Sequence, residues 1–113
     1  MITKAGVAII HFDKFEKNWY ALLVKQNGSG RWGFPKGTKE KFSESFRDCA
    51  KREVAEETGL YINILPEHMS YQTKDTALYV YEIKHIYKYK KFLTNLKTKD
   101  TKEIEKVQWK RLD

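Results

Sequence analysis

The 113-residue sequence predicts an α/β domain on three observations: strand-like runs at both ends, one amphipathic helix between them, and turn residues at most boundaries. Lys4 to Phe12 and Trp19 to Gln26 are rich in β-branched and aromatic residues. They flank the polar stretch 13–18, which predicts a hairpin with a loop of six residues or slightly more. Asn27-Gly28-Ser29-Gly30 is a turn cluster. A short strand, Trp32-Gly33-Phe34, follows; Pro35 stops it, and Gly37 marks another turn. From about Glu44 to Thr58 the pattern is helical, with Ser43 as N-cap and Gly59 as the C-terminal stop. Leu60 to Leu65 reads as a strand ending at Pro66. Thr76 to Tyr87 reads as a longer apolar and aromatic strand, paired with Met69 to Thr73. Residues 88–103 stay open between a helical turn, from the spacing of Phe92, Leu93 and Leu96, and a loop. Val107 to Trp109 predicts a last strand. With no repeat, low-complexity linker or internal boundary, residues 1–113 are expected to form one domain.

Composition narrows the class. At 41% hydrophobic and 33% charged residues the chain is globular, and it is long enough to bury a core without disulfide staples. Cys49 is the lone cysteine, which excludes an intrachain disulfide and offers no sign of an oxidising compartment. No apolar run nears the roughly 20 residues of a membrane helix. The first residues lead into an alternating apolar stretch rather than a signal peptide, so a soluble cytoplasmic protein without membrane association is expected. The net charge is +7, and its placement is uneven. Between Lys84 and Lys102 seven lysines (84, 88, 90, 91, 97, 99 and 102) face one acid, Asp100, for a local +6. Such a field attracts polyanions, although a lysine-rich solvated face is the plainer reading.

The helix carries the chemistry. On a wheel of about 100° per residue with Phe46 at zero, Ala50 falls near 40°, Val54 near 80° and Cys49 near 300°. Glu53, Glu57 and Glu56 fall near 340°, 20° and 280°, on the side where a structural helix would place leucine. Unpaired buried carboxylates are costly, so groups in such places pair with cations or coordinate metal. Their i,i+3 and i,i+4 spacing lets all three converge on one point. Hard oxygen ligands without a Cys/His cluster favour Mg²⁺ or Mn²⁺ over zinc. The competing reading pairs the acids with Lys51 and Arg52. His11, His68 and His85 share no ligand spacing and are expected to be structural, as are Trp19 and Trp109. Cys49, on the inward helix face, is expected to be a packing thiol.

The run Gly37-Thr-Lys-Glu-Lys-Phe-Ser-Glu44, then seven residues, then Arg52-Glu53-Val54-Ala55-Glu56-Glu57-Thr58-Gly59-Leu60, resembles the Nudix box. From Glu44 onward the match is complete. Six residues rather than five separate Gly37 from Glu44, a one-residue insertion in the loop. The resemblance implies an α/β/α sandwich, a mixed sheet with the Nudix helix packed on it. The expected form is either a minimal version lacking the last helix or one whose outer layer is built by residues 88–103. It implies a pyrophosphohydrolase that uses divalent cations, Mg²⁺ or Mn²⁺. Glu53, Glu56 and Glu57 would be metal ligands, with the Gly37 carbonyl completing the shell. One of these glutamates or a more distant carboxylate would activate water. Glu44 and Arg52 would form an ion pair tying loop to helix.

Within the family, Trp32-Gly-Phe-Pro-Lys-Gly37 and Asp48-Cys-Ala-Lys-Arg-Glu-Val54 most resemble the mRNA-decapping branch. That implies hydrolysis of the RNA 5′ cap with release of m7GDP, and places Lys36 beside the phosphates. The segment from Glu103 to Trp109 resembles the one that supplies a further active-site glutamate there, which maps to Glu103. Tyr87-Lys88-Tyr89-Lys90-Lys91-Phe92 interleaves rings with ammonium groups, so Tyr87, Lys88 and Lys90 are candidate RNA contacts, and Trp32 is a candidate base-stacking residue. An edge strand guarded by lysines is the competing reading of that segment. Similar loops occur in Nudix enzymes acting on dinucleoside polyphosphates and diphosphoinositol polyphosphates, which are the alternative substrates. A non-catalytic binding module is the weaker alternative, since such relatives typically lose box glutamates that are all present here. Nothing in the sequence points to an obligate protein partner.

Overall fold

The computed structural model describes residues 1–40, 43–65, 68, 70–84 and 96–112. Its elements run β1 (Lys4–Asp13), β2 (Asn18–Gln26), β3 (Trp32–Gly33), β4 (Lys36–Thr38), α1 (Phe46–Thr58), β5 (Ser70–Gln72), β6 (Thr76–Glu82) and β7 (Ile104–Arg111). The sheet is mixed, as expected: β1 pairs parallel with β6, while its pairings with β2 and β4 are antiparallel.

β1 is the spine. One edge is taken by β6 from Lys4 to Ile10. The other edge is shared, by β2 at Ile10 to Asp13 and by β4 at Lys4 to Gly6. β2 diverges from β1 and takes up β3 at Val24 and Lys25, with β7 along its far edge. The chain from β3 to β4 therefore bridges a fork between β1 and β2. Pro35 holds the crotch of that fork, its carbonyl accepting from Val7 N at 3.1 Å. Ala5 to Ile9 are all buried, so β1 is covered on both faces, as a central strand should be.

Alternation and register put Ala5, Val7, Ile9 and Leu22 on one face, with Tyr79 and Tyr81 of β6 beside them. Cys49, Ala50 and Val54 of α1 pack onto that face. Burial of the larger members, Val7, Ile9, Leu22 and Val54, contributes roughly 1.5–3 kcal/mol each. Among the described residues α1 is the sole helix, and no helix is long and apolar enough to cross a membrane. Of the segment 88–103 that the second expected form would use as an outer layer, residues 96–103 are loop and turn and residues 88–95 lie outside the described set.

Several boundaries differ from expectation. The hairpin loop is four residues, because Asp13 already pairs with Asn18. Asp13 Oδ1 accepts from Phe15 N and Glu16 N at 2.8 and 3.0 Å, and Lys17 takes φ 56°, which closes the turn early. The helix begins at Phe46 and its N-cap is Ser45, not Ser43: Ser45 Oγ accepts from Asp48 N at 3.0 Å. Gly59 is the C-cap, at φ 77°. Gly37, expected in a turn, lies inside β4 opposite Ala5. Residues 60–65 form no ladder; Leu60, Ile62 and Ile64 alternate inward against the core. The β5–β6 pairing appears as expected. β6 ends at Glu82, while residues 85–87 of the predicted strand lie outside the described set. Residues 96–103 are loop and turn, and β7 is longer at both ends than Val107 to Trp109.

Candidate active site

The box residues gather where α1 crosses β4. Glu53 and Glu57 face inward, at 8% and 3% exposure. Glu53 lies directly over the backbone of Gly37. A methyl group there would stand 2.1 Å from Glu53 Cδ, so only glycine lets strand and carboxylate approach so closely. The Gly37 carbonyl faces the Cys49 thiol at 3.6 Å. Cys49 is fully buried, and burial pushes its thiol up to about 11, which fits the expected packing role.

Arg52 organises the acids. Its Nε and Nη2 engage both oxygens of Glu44 at 2.9 and 3.1 Å, a two-point pair that ties the loop to the helix as expected. That contact holds the Glu44 carboxyl below its ordinary range. Nη2 also donates to the Thr38 carbonyl at 3.2 Å. Nη1 stands among the other carboxylates, 2.9 Å from Glu53, 3.3 Å from Glu56 and 3.4 Å from Glu40. Glu56 is the outer member, its side chain 43% exposed. Glu40 is a partner that sequence reasoning missed; it sits in the loop containing the inserted residue, where spacing carries no signal.

Glu57 is different. No ion pair among the described residues joins it to a lysine or arginine. Burial pushes its carboxyl up to about 8, and the charges of Glu53, Glu103 and Asp100 add to the rise against one backbone hydrogen bond from Lys36. Burial, then the charge of Glu56, also raises Glu53, where Arg52 opposes them and Glu103 adds. Glu103 thus reaches the same field from the turn before β7, although it is 46 positions from Glu57 in the chain.

The segment carrying Glu103 is pinned at both ends. Lys99 N, Asp100 N and Thr98 Oγ1 all donate to the Glu56 carbonyl, at 2.8, 3.1 and 3.3 Å, satisfying an end-of-helix acceptor. Asn27 N donates to the Glu103 carbonyl at 2.8 Å, and Asn27 Nδ2 donates to the carbonyls of Thr101 and Lys102 at 3.0 Å each. Asp100 Oδ1 accepts from Glu103 N at 3.2 Å. Asp100 therefore belongs to the site, which its place in a lysine-rich run had concealed.

Among the described residues no three acidic, histidine or cysteine groups are drawn together tightly enough to hold an ion as they stand, with Arg52 Nη1 lying among the carboxylates. The donor set nonetheless fits a divalent cation. It offers hard oxygens, and the buried Glu57 has neighbours that are mostly acids, so a cation would relieve the cost that its raised pKa records.

Of the other expected contacts, Lys36 is exposed in β4 with its backbone against Glu57. Trp32 lies in β3 with Lys110 Nζ 4.0 Å from its ring centroid, so a cation covers one face of the ring. Tyr87, Lys88 and Lys90 lie outside the described residues. His11 is structural, its Nδ1 2.7 Å from the Ile83 carbonyl, and His68 Nδ1 accepts from Leu65 N. His85 lies outside the described residues.

A mixed sheet forked around β3 and β4, with a helix presenting inward glutamates to a glycine, defines a Nudix domain. The NUDIX domain model matches residues 3–113, and the chain belongs to the Nudix family. Nudix hydrolases generally use divalent metal ions. Among its relatives, the mRNA-decapping protein g5R of African swine fever virus is 42% identical over 93 residues, covering 67% of this chain and 35% of that protein. The mRNA-decapping enzyme subunit 2 of Arabidopsis thaliana is 33% identical over 109 residues, covering 94% of this chain and 27% of that protein. The chain thus spans less than half the length of these curated relatives. A C. elegans Ap4A hydrolase, solved as a binary complex, superposes with a TM-score of 0.68 at 17% identity, covering 98% of this chain and 80% of that one. That likeness shows the fold.

Proposed function

We propose that this chain hydrolyses the phosphoanhydride bridge of RNA 5′ caps and releases m7GDP. The observation that carries the reading is the buried pair Glu53 and Glu57, with Glu53 packed on the backbone of Gly37, in a chain whose curated relatives include named decapping proteins. Glu53, Glu56 and Glu57 would hold the divalent cations, Mg²⁺ or Mn²⁺, with the Gly37 carbonyl as a further oxygen donor. When bound, such ions neutralise the polyphosphate and acidify water. The chain's own residues do the rest. Arg52 aligns Glu53 and Glu56 and anchors the loop through Glu44. Glu103, or one of the helix glutamates, takes the proton from the attacking water. Lys36, exposed beside Glu57, meets the phosphates, and Trp32 with Tyr87, Lys88 and Lys90 contacts the RNA. The enzyme acts in the cytoplasm in this reading, where a buried lone thiol such as Cys49 stays reduced.

The test offers cap-labelled RNA, diadenosine polyphosphate and diphosphoinositol polyphosphate in parallel, each with Mg²⁺ and with Mn²⁺. Labelled m7GDP from capped RNA is the expected product, lost in Glu57→Gln. Turnover of a small molecule with capped RNA untouched overturns the substrate. Wild-type rates in Glu57→Gln on the preferred substrate overturn the mechanism.

A further inference from the structure

On the flank of α1 beside the carboxylates lies a cavity of about 390 Å³, within the ~300–1,000 Å³ range of small-ligand sites. Its apolar wall is Ala55 and Ile62, and Glu56 and Arg52 join it to the candidate active site. Tyr61 forms one side at 73% exposure, because the inward turn of Leu60 and Ile62 leaves the ring between them facing out. Lys99 Nζ lies 4.6 Å from the centroid of that ring and is hydrogen-bonded to the Tyr61 hydroxyl. The backbone of Lys99 is tied to the Glu56 carbonyl at 2.8 Å, so the loop that carries the ammonium is anchored beside the acids. Lys51 supplies a second ammonium, and among the described residues neither lysine is in an ion pair.

An exposed ring, an apolar wall and two uncompensated ammonium groups suit a flat ring joined to an anion. We propose that this pocket takes a nucleoside 5′-phosphate of the RNA body, its base stacked on Tyr61 and its phosphate between Lys51 and Lys99. The choice of RNA rests on the reaction proposed above. The cap base itself, 7-methylguanine, carries a positive charge that the basic rim opposes, whereas an unmodified base is neutral.

The experiment measures binding of a short, uncapped, 5′-monophosphorylated RNA labelled at its 3′ end, by fluorescence anisotropy without divalent ions. Tyr61→Ala should weaken binding about tenfold, as loss of one base stack does, while Tyr61→Phe stays within about twofold because the ring remains. Lys99→Ala should flatten the slope of log affinity against log salt by about 0.7, the single-strand value for one phosphate contact. Unchanged thermal melting of the variants shows that the fold is intact. Wild-type RNA affinity in Tyr61→Ala overturns the pocket. Loss of affinity for diadenosine polyphosphate but not for RNA overturns its assignment to the RNA body. If capped RNA is cleaved and Tyr61→Ala leaves its KM unchanged, the pocket fails and the reaction stands. If capped RNA is not cleaved while Tyr61→Ala still weakens RNA binding, the reaction fails and the pocket stands.

Discussion

Replacing Gly37 with alanine puts a methyl carbon 2.1 Å from Glu53 Cδ and 2.3 Å from both carboxylate oxygens. Carbon atoms settle at about 3.5 Å or more, so one partner must retreat by roughly 1.4 Å. Either β4 lifts away from β1 or Glu53 swings aside. β4 is held by the pairs Lys4↔Thr38, Ala5↔Gly37 and Gly6↔Lys36, whereas the carboxylate is the tip of a flexible side chain. An off-rotamer side chain costs about 0.5–1.5 kcal/mol, less than opening a ladder of three pairs, so Glu53 moves. The expected destabilisation is about 1–2 kcal/mol, a fall of several degrees in Tm. Activity should suffer far more, because a misplacement of about 1 Å in a reacting constellation costs roughly 100-fold in rate. Titration with Mn²⁺ followed by tryptophan fluorescence, alongside turnover and a melting curve, separates the two effects. Weak Mn²⁺ binding and poor turnover in a protein that still melts cooperatively is the expected result. Wild-type Mn²⁺ affinity and turnover in Gly37→Ala would refute the reasoning.

Three further outcomes are expected. Burial raises the Glu57 carboxyl from 4.5 to about 8, so the folded metal-free protein holds a proton that the unfolded chain has released between those values. Its contribution to stability is full below the lower value and lost as pH climbs through the upper one. The Tm of metal-free protein should fall from about pH 5 to about pH 9, and Glu57→Gln should flatten that fall while reducing turnover at least ~100-fold. Arg52→Lys removes the two-point contact with Glu44 and the reach to the Thr38 carbonyl; urea unfolding should show a loss of about 1–3 kcal/mol and turnover a drop of about tenfold. Ser45→Ala should cost about 1 kcal/mol in the same assay, against less than about 0.5 kcal/mol for Ser43→Ala, since only Ser45 caps the helix.

Much of the site was legible because helical periodicity is local. The wheel that put Glu53 and Glu57 among apolar residues needed no knowledge of the sheet, and both are buried. The cap was harder: two serines flank Glu44, and Ser45 wins once Arg52 draws Glu44 out of the helix. Residues 60–65 alternate like a strand and bury Ile64 accordingly, yet a ladder requires a partner strand, which periodicity does not report. Gly37 looks like a turn residue in sequence because a glycine does not say whether the missing side chain frees the backbone or admits a neighbour. Tyr61 and Lys99 are 38 positions apart, so their meeting depends on the loop docking onto the end of α1.

That docking makes a surface turn accountable for chemistry. Asn27 clasps three successive carbonyls, those of Thr101, Lys102 and Glu103, while Asp100 grips the Glu103 amide from the other side. The reach of the Glu103 carboxylate is thereby coupled to the bend after β2, in a part of the chain that shares no element with α1. Under the proposed mechanism, sequence drift at Asn27 bears on the placement of Glu103, not merely on solubility.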